Sequence, residues 1–159
     1  MLVTPEPCDE CGWPAAGGRA GCRARFDQYI ARDFSDALYF RTHRLFVDTY
    51  ALQHPDQFCR SAKSLAAHLV GLGWIVEAGA SPAIGPDALH RWLDGRTDLD
   101  KPPLPADRGA VTIGDLPVEA GPAAWAEEVV RWAQSTWQAY APLHAQAREW
   151  LARASRTAA

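Results

Sequence analysis

Residues 43–55, His-Arg-Leu-Phe-Val-Asp-Thr-Tyr-Ala-Leu-Gln-His-Pro, establish that this chain is helical. Their apolar side chains are spread over several faces of one helix, which predicts a helix that is buried on most sides. Pro55 ends it, because proline donates no backbone hydrogen bond and restricts the residue before it. Ser35 and Asp36 offer an N-cap, so we expect the helix to run over residues 36–54.

Helical patterns continue on both sides of this segment. They predict further helices over residues 22–34, 59–78, 86–94 and 122–154. In the last of these, apolar residues three or four apart form one stripe from Trp125 to Trp150, and Pro142 should kink the helix. No useful length of sequence alternates with period two. The expected fold is therefore all-α, a bundle of four to five helices behind an irregular N-terminal zinc knuckle.

Length and composition are those of an ordinary globular protein. The chain has 159 residues, of which 48% are hydrophobic and 22% charged. We expect a single domain over residues 1–159, divided into a cysteine knuckle and loop over 1–21, a helical bundle over 22–154 and a disordered tail over 155–159. No apolar run reaches the roughly 18 residues needed to span a bilayer. The first residues lack the features of a signal peptide, so a cytoplasmic location is expected.

The charge of the chain argues against nucleic-acid binding. The net charge is -3, and lysine occurs only as Lys63 and Lys101. Duplex binding depends on many basic contacts with phosphates, and no basic block is present. Arg148, Arg153 and Arg156 are interpreted as a solvated helix face. The partner is unknown, and a protein or a small molecule remains open.

A cysteine motif near the N-terminus carries the clearest chemical signal. It reads Cys8-Asp9-Glu10-Cys11-Gly12, and Cys22 follows it. Two thiolates separated by two residues can bind one ion when the backbone turns tightly, and glycine tolerates the positive φ of such a turn. In a reducing compartment, cysteines favour metal ligands or free thiols over disulfides. The motif therefore predicts a structural zinc ion, which takes four ligands in a tetrahedron. A redox pair is less favoured, since no strand is expected before the motif.

The sequence leaves the fourth zinc ligand open. Three ligands are Cys8, Cys11 and Cys22, and His54 is our first choice for the fourth. The alternatives are His43, His68 and Cys59. If the helices over residues 22–34 and 36–54 form an antiparallel hairpin, the start of the first lies beside the latter half of the second. This arrangement would bring Cys22 near residues 43–59.

A second group of polar residues lies on the helix over residues 43–55. His43 and His54 are about 16 Å apart along the helix axis and cannot share one metal ion. Asp48 would be costly to bury unpaired, and we expect it to meet His43 and His68 inside the bundle. The favoured interpretation is a set of polar core groups bonded to one another.

The alternative is a second metal site or a catalytic site, because buried His and carboxylate groups are suited to acid–base chemistry. Its candidate residues are His43, Asp48, His68 and, beside the Pro142 kink, His144. The sequence does not settle whether the chain is an enzyme.

Across these motifs the chain resembles an uncharacterised family of bacterial proteins, a domain of unknown function. The family combines Cys-x-x-Cys-Gly with His-x-Leu-x-Val-Asp-x-Tyr-x-x-Gln-His-Pro, Ser-x-x-x-His-Leu-x-x-Leu and Trp-Ala-x-x-x-Trp. The matching residues here are Cys8 to Gly12; His43, Leu45, Val47, Asp48, Tyr50, Gln53, His54 and Pro55; Ser64, His68, Leu69 and Leu72; and Trp132, Ala133 and Trp137. The resemblance covers nearly the whole chain and implies one domain, but no activity. This chain has Trp125 or a neighbour where the family has a histidine, which puts any site needing that histidine in doubt.

Two functional hypotheses follow. The first is a zinc-stabilised helical domain that acts as a binding or interaction module. The alternative is a metal-dependent hydrolase or transferase that uses the His/Asp cluster inside the bundle.

Overall fold

The computed structural model describes residues 5–82 and 87–157. In these ranges the chain forms a small two-stranded sheet, eight α-helices and two 3₁₀ turns, at Ile113–Asp115 and Ala141–Leu143. The strands are β1 (Glu6–Pro7) and β2 (Pro14–Ala15), and the helices are α1 (Gly18–Ser35), α2 (Ala37–Phe40), α3 (His43–Gln53), α4 (Pro55–Phe58), α5 (Ala62–Ala78), α6 (Asp87–Asp94), α7 (Pro122–Ala139) and α8 (His144–Thr157). The predicted all-α fold is confirmed.

Helix α3 lies at the centre of this arrangement. It packs against α5 and α7, while α8 packs against α5 and α6. As its sequence predicts, most of α3 is buried. Its buried residues are Leu45, Phe46, Asp48, Thr49, Tyr50, Ala51, Leu52 and Gln53. The helix that fills the core thus carries two of the candidate site residues, His43 and Asp48, and His54 follows directly after it.

The helix predicted over residues 36–54 is interrupted. Asp36 accepts a hydrogen bond from the backbone N–H of Leu38 and caps α2, as an N-cap residue should. The helix then stops before α3, because the Thr42 hydroxyl donates to the carbonyl oxygen of Tyr39, 3.2 Å away. Threonine side chains that bond to the backbone in this way compete with helix continuation.

The long helix predicted over residues 122–154 is broken rather than kinked. Helix α7 ends at Ala139, a 3₁₀ turn follows, and α8 starts at His144. Pro142 lies in that turn, where its ring and its missing N–H prevent α-helical hydrogen bonding. These two interruptions and the short α4 account for eight helices where the sequence predicts four to five.

The ends of the chain also differ from the expectation. The irregular loop expected over residues 1–21 contains β1 paired with β2, in the register Glu6 to Ala15 and Pro7 to Pro14. Strands of two residues are too short to give a periodic signal. Helix α1 begins at Gly18 and not at Cys22. Residues 155–157, expected in a disordered tail, continue α8, and residues 158–159 lie outside the described ranges.

Helix α5 approaches α3 closely at Gly71. A β-carbon at this position would lie 2.5 Å from Asp48 Oδ2 and 3.0 Å from Arg44 Nη2. A side chain at this position would therefore have to displace the Asp48 carboxylate and the Arg44 guanidinium. Among the described helices, none is long and apolar enough to cross a membrane.

Candidate metal centre

The Cys-x-x-Cys motif forms the tight turn between β1 and β2. The backbone N–H of Gly12 donates to the carbonyl oxygen of Cys8 over 2.8 Å, and the N–H of Cys8 donates to the carbonyl oxygen of Trp13 over 2.7 Å. Gly12 has a φ of 79°, in the left-handed region that glycine adopts at no steric cost. The turn holds Cys8 and Cys11 on its inner side, where both are buried.

Helix α1 supplies the third thiol. Because the helix starts at Gly18, Cys22 lies in its second turn and on its buried face, where it is fully enclosed. Its Sγ atom lies 3.8 Å from Cys11 Sγ. The sequence predicts this proximity correctly, although it places Cys22 at the first residue of the helix.

His54 approaches the thiols from the end of α3. Its Nδ1–H donates to the carbonyl oxygen of Tyr50 over 2.7 Å, and its ring stacks on the Tyr50 ring with centroids 3.8 Å apart. This hydrogen bond assigns the proton to Nδ1 and leaves the lone pair on Nε2. Nε2 lies 3.3 Å from Cys22 Sγ, so the imidazole presents its unprotonated nitrogen to the thiols.

The four ligand atoms of Cys8, Cys11, Cys22 and His54, here called the Cys3His group, all lie within 4.8 Å of one another. With zinc bonds of about 2.0–2.3 Å, the corners of a tetrahedron are roughly 3.3–3.8 Å apart. The sulfur–sulfur distance of 3.8 Å and the sulfur–nitrogen distance of 3.3 Å agree with this size. The group could therefore hold one metal ion of the zinc type with little movement.

The surroundings of the thiols favour their protonated form in the absence of a cation. Burial raises the pKa of the Cys8 thiol, although hydrogen bonds from the backbone N–H groups of Cys11 and Glu10 lower it. The pKa of the Cys11 thiol is raised to about 12, most of all by a hydrogen bond with Cys22 and next by burial. These thiols need a strong local positive charge to become thiolates at neutral pH, and a bound divalent cation would supply it.

The alternative fourth ligands lie outside this group. Cys59 is buried elsewhere, and its thiol faces the carbonyl oxygen of Ala51 at 3.6 Å. His43 and His68 bond to aspartates instead. Within residues 5–82 and 87–157, the Cys3His group is the only set of three or more Cys, His, Asp and Glu side chains close enough to share an ion.

Asp48 and His68 meet in the bundle, as predicted. Asp48 is fully buried, and its carboxylate accepts hydrogen bonds from His68 Nδ1 over 2.8 Å and from Arg44 Nε over 2.7 Å. Arg44 also donates to the carbonyl oxygen of Ala67 and to His90 Nε2, each over 3.0 Å. These contacts form a compact set of polar groups, the Asp48 network, defined by Arg44, Asp48 and His68.

The prediction that His43 joins Asp48 and His68 is wrong. His43 Nδ1 bonds to Asp33 of α1 over 3.0 Å. The reason is helical geometry, because residues five apart on one helix point in different directions. His144 stacks on Trp137 with ring centroids 3.9 Å apart, and its Nε2–H donates to the Trp137 carbonyl oxygen. The four candidate catalytic residues therefore lie in three separate places.

Sequence reasoning missed two residues that organise these sites. Glu10 accepts hydrogen bonds from the backbone N–H of Asp56 and the side chain of Gln57, which attaches the cysteine turn to α4. Arg44 is the charge partner of Asp48. Its spacing of four residues from Asp48 is a signal that could have identified it, whereas nothing in the sequence indicates the contact of Glu10.

The comparisons with known proteins point to one sequence family. A family described as "Family of unknown function (DUF5946)" matches residues 6–141, which include the Cys3His group and the Asp48 network. No curated protein and no solved structure gives a significant match.

Proposed function

The chain thus belongs to DUF5946, a family of unknown function, and we propose from its own residues that it is a zinc-stabilised helical binding domain. In this proposal, Cys8, Cys11, Cys22 and His54 hold one structural zinc ion. The ion fastens the cysteine turn and the second turn of α1 to the end of α3. We further propose that the whole chain forms one domain and works in a reducing compartment such as the cytoplasm, where its thiols remain available to the metal.

The observation that carries the proposal is that the ligand set is closed. Four protein atoms lie within 4.8 Å of one another, and all four residues are buried. Structural zinc sites take four protein ligands, whereas catalytic sites keep one position open for water or substrate. The hydrogen bond that His54 Nδ1–H donates to the Tyr50 carbonyl oxygen is also typical of zinc-ligating histidines, because it fixes the ring with Nε2 toward the metal.

The surface supports a role in binding. Phe34, Leu38 and Phe40 are exposed large apolar side chains at the junction of α1 and α2, with Phe34 70% exposed. The rings of Phe34 and Phe40 are 5.5 Å apart, and both contact the ring of His43. Contiguous exposed apolar side chains of this kind mark surfaces that bind other proteins.

The metal part of the proposal is tested by elemental analysis of the purified chain. We expect one zinc per chain in the wild type, loss of zinc in Cys8→Ser, and retention of zinc in Cys59→Ser. Cys59 is the matched control, because it is buried but outside the Cys3His group. A wild-type chain that carries no metal after purification from zinc-containing medium would contradict the proposal.

The binding part is tested with Phe34→Ser/Phe40→Ser, which removes both exposed rings and leaves the zinc ligands intact. We expect this double variant to keep its zinc and its melting temperature but to lose a protein partner that the wild type retains. If the double variant retains every partner of the wild type, this surface is not the binding surface.

A metal-dependent hydrolase or transferase is the second candidate. The observation that favours it is the hydrogen bond that His68 Nδ1–H donates to Asp48, because this bond orients the imidazole. His68 Nε2 has no hydrogen-bond partner among the described residues, so it is the nitrogen that could act as a base. A second equivalent of metal that is abolished by His68→Ala would favour the enzyme. One equivalent that is unaffected by this substitution favours the binding domain.

A further inference from the structure

A second candidate site lies between the C-terminal ends of α6 and α8, away from the Cys3His group. These ends and the segment after α6 line a cavity of about 560 Å³ that is open to solvent. This volume falls within the range of small-molecule sites, about 300–1,000 Å³. The cavity is lined by Arg91, Trp92, Gly95, Arg96, Thr97, Asp98, Arg153, Arg156 and Thr157.

The cavity collects positive charge. Four of its lining side chains are arginines, and only Asp98 is acidic. None of the four guanidinium groups has a carboxylate or another hydrogen-bond partner among the described residues. Two other arginines of α7 and α8 do have carboxylate partners: Arg131 bonds to Glu128, and Arg148 bonds to Glu77.

Arg148 and Arg156 are exposed and Arg153 is half-buried, in keeping with the solvated helix face that the sequence indicates for them. Arg148 forms an ion pair with Glu77 of α5, while Arg153 and Arg156 face the cavity. Arg153 is positioned over the Trp92 ring, with its guanidinium carbon 5.2 Å from the ring centroid. Among the described residues the N–H groups of this guanidinium have no acceptor, so they remain available to a ligand.

Capping of α6 does not account for these arginines. The carbonyl oxygens at the end of a helix need donors, and arginines near a helix end often provide them. At the end of α6, however, Lys63 Nζ already donates to the carbonyl oxygens of Leu93 and Gly95, each over 3.0 Å. The Thr97 hydroxyl donates to the carbonyl oxygen of Trp92. Arg91 and Arg96 are therefore not needed as caps.

We propose that this cavity binds a small molecule that carries phosphate groups, with two or more negative charges. Guanidinium groups form paired hydrogen bonds with phosphate oxygens, and none of the four that line this cavity is paired with a carboxylate among the described residues. The cavity has room for a diphosphate with a small organic group. The cavity shares no residue with the Cys3His group or with the exposed side chains of Phe34, Leu38 and Phe40, so this inference goes beyond the proposed function.

Isothermal titration of the full-length zinc-containing chain with inorganic pyrophosphate at low ionic strength tests this inference. The test variant is Arg153→Gln/Arg156→Gln, which removes two arginines from the cavity. The matched control is Arg131→Gln/Arg148→Gln, which removes the same charge from exposed positions outside it. Circular dichroism confirms that both variants fold, and citrate provides a polyanion without phosphate.

We expect the wild type to bind pyrophosphate more tightly than citrate. The cavity variant should bind pyrophosphate at least about tenfold more weakly, as the loss of two charge-assisted contacts implies, and the control variant should match the wild type. No binding by the wild type, equal weakening in both variants, or equal binding of citrate would overturn the inference. Zinc content of the same samples tests the proposed function separately, because the metal ligands are not changed.

Discussion

Helix α3 has buried polar groups of different kinds at its middle and just beyond its end. At its middle, Asp48 accepts hydrogen bonds from Arg44 and His68, so a negative charge meets donors supplied by the chain itself. Beyond its last residue, His54 presents Nε2 to Cys22, and the other neighbours are the thiols of Cys8 and Cys11 and the Tyr50 hydroxyl, 3.7 Å from Cys22 Sγ. The Asp48 network is complete with its own side chains, whereas the Cys3His group consists of electron-pair donors. A buried group of that kind is stabilised by a cation from outside the chain.

The largest difference between the two groups should appear when a zinc ligand is removed. We expect Cys22→Ser to lower the free energy of unfolding by roughly 5 kcal/mol or more, because binding of structural zinc contributes directly to folding. A chelator should then change the melting temperature of the wild type strongly and that of the variant little. A wild-type melting temperature that does not respond to a zinc chelator would contradict a structural role for the metal.

Removal of Asp48 should have the second largest effect. Asp48→Ala leaves the guanidinium of Arg44 partly buried without its carboxylate, which costs about 3–5 kcal/mol in comparable pairs. Denaturation by urea measures this loss. The zinc content should stay at the wild-type value, and its loss would show that the two groups are not independent.

Gly71→Ala should lower the free energy of unfolding by a smaller amount, because it crowds the Asp48 carboxylate without removing a charge. The added β-carbon would lie 2.5 Å from Asp48 Oδ2. Overpacking of this kind costs about 1–3 kcal/mol, partly offset by roughly 1 kcal/mol from the better helix propensity of alanine. Urea denaturation should therefore show a net loss of about 1 kcal/mol. A stabilised variant would indicate that the carboxylate moves freely.

The smallest effect concerns Asp33, which is buried like Asp48 but less well satisfied. Its Oδ1 has no hydrogen-bond partner, while Oδ2 bonds to His43. Burial raises the pKa of Asp33 above 3.8, although His43 and Arg32 oppose the shift. The folded state therefore binds the proton more tightly than the unfolded state, and ionisation of Asp33 costs stability at neutral pH.

We accordingly expect Asp33→Asn to be more stable than the wild type at pH 7, by about 1 kcal/mol or less. This advantage should shrink as the pH falls and should be absent below the unfolded value of 3.8, where Asp33 is protonated in both states. Urea denaturation at a series of pH values measures it. An advantage that grows as the pH falls would contradict the sign of the pKa shift.

The sequence predicts the helices better than the contacts between them. The apolar patterns identify each main helix and the burial of α3, since helical periodicity is a local signal. The break at Thr42 is not predicted, and Pro142 stops the helix where a kink is predicted, because a single side-chain hydrogen bond or one proline decides whether a helix bends or stops. For the Cys3His group, the spacing of Cys8 and Cys11 predicts two ligands from one turn. The expected antiparallel hairpin of the first two helices then predicts that Cys22 lies near His54. The pairing of His43 with Asp33 depends on the tertiary arrangement of α1 and α3, which no local pattern contains.

X-ray absorption at the zinc edge on the purified chain tests the central claim most directly. We predict one zinc per chain with three sulfur neighbours at about 2.3 Å and one nitrogen neighbour at about 2.0 Å. His54→Ala should replace the nitrogen neighbour or lose the metal, while His68→Ala should leave the spectrum unchanged. A chain without bound zinc, or zinc with a shell of oxygen and nitrogen only, would contradict the account.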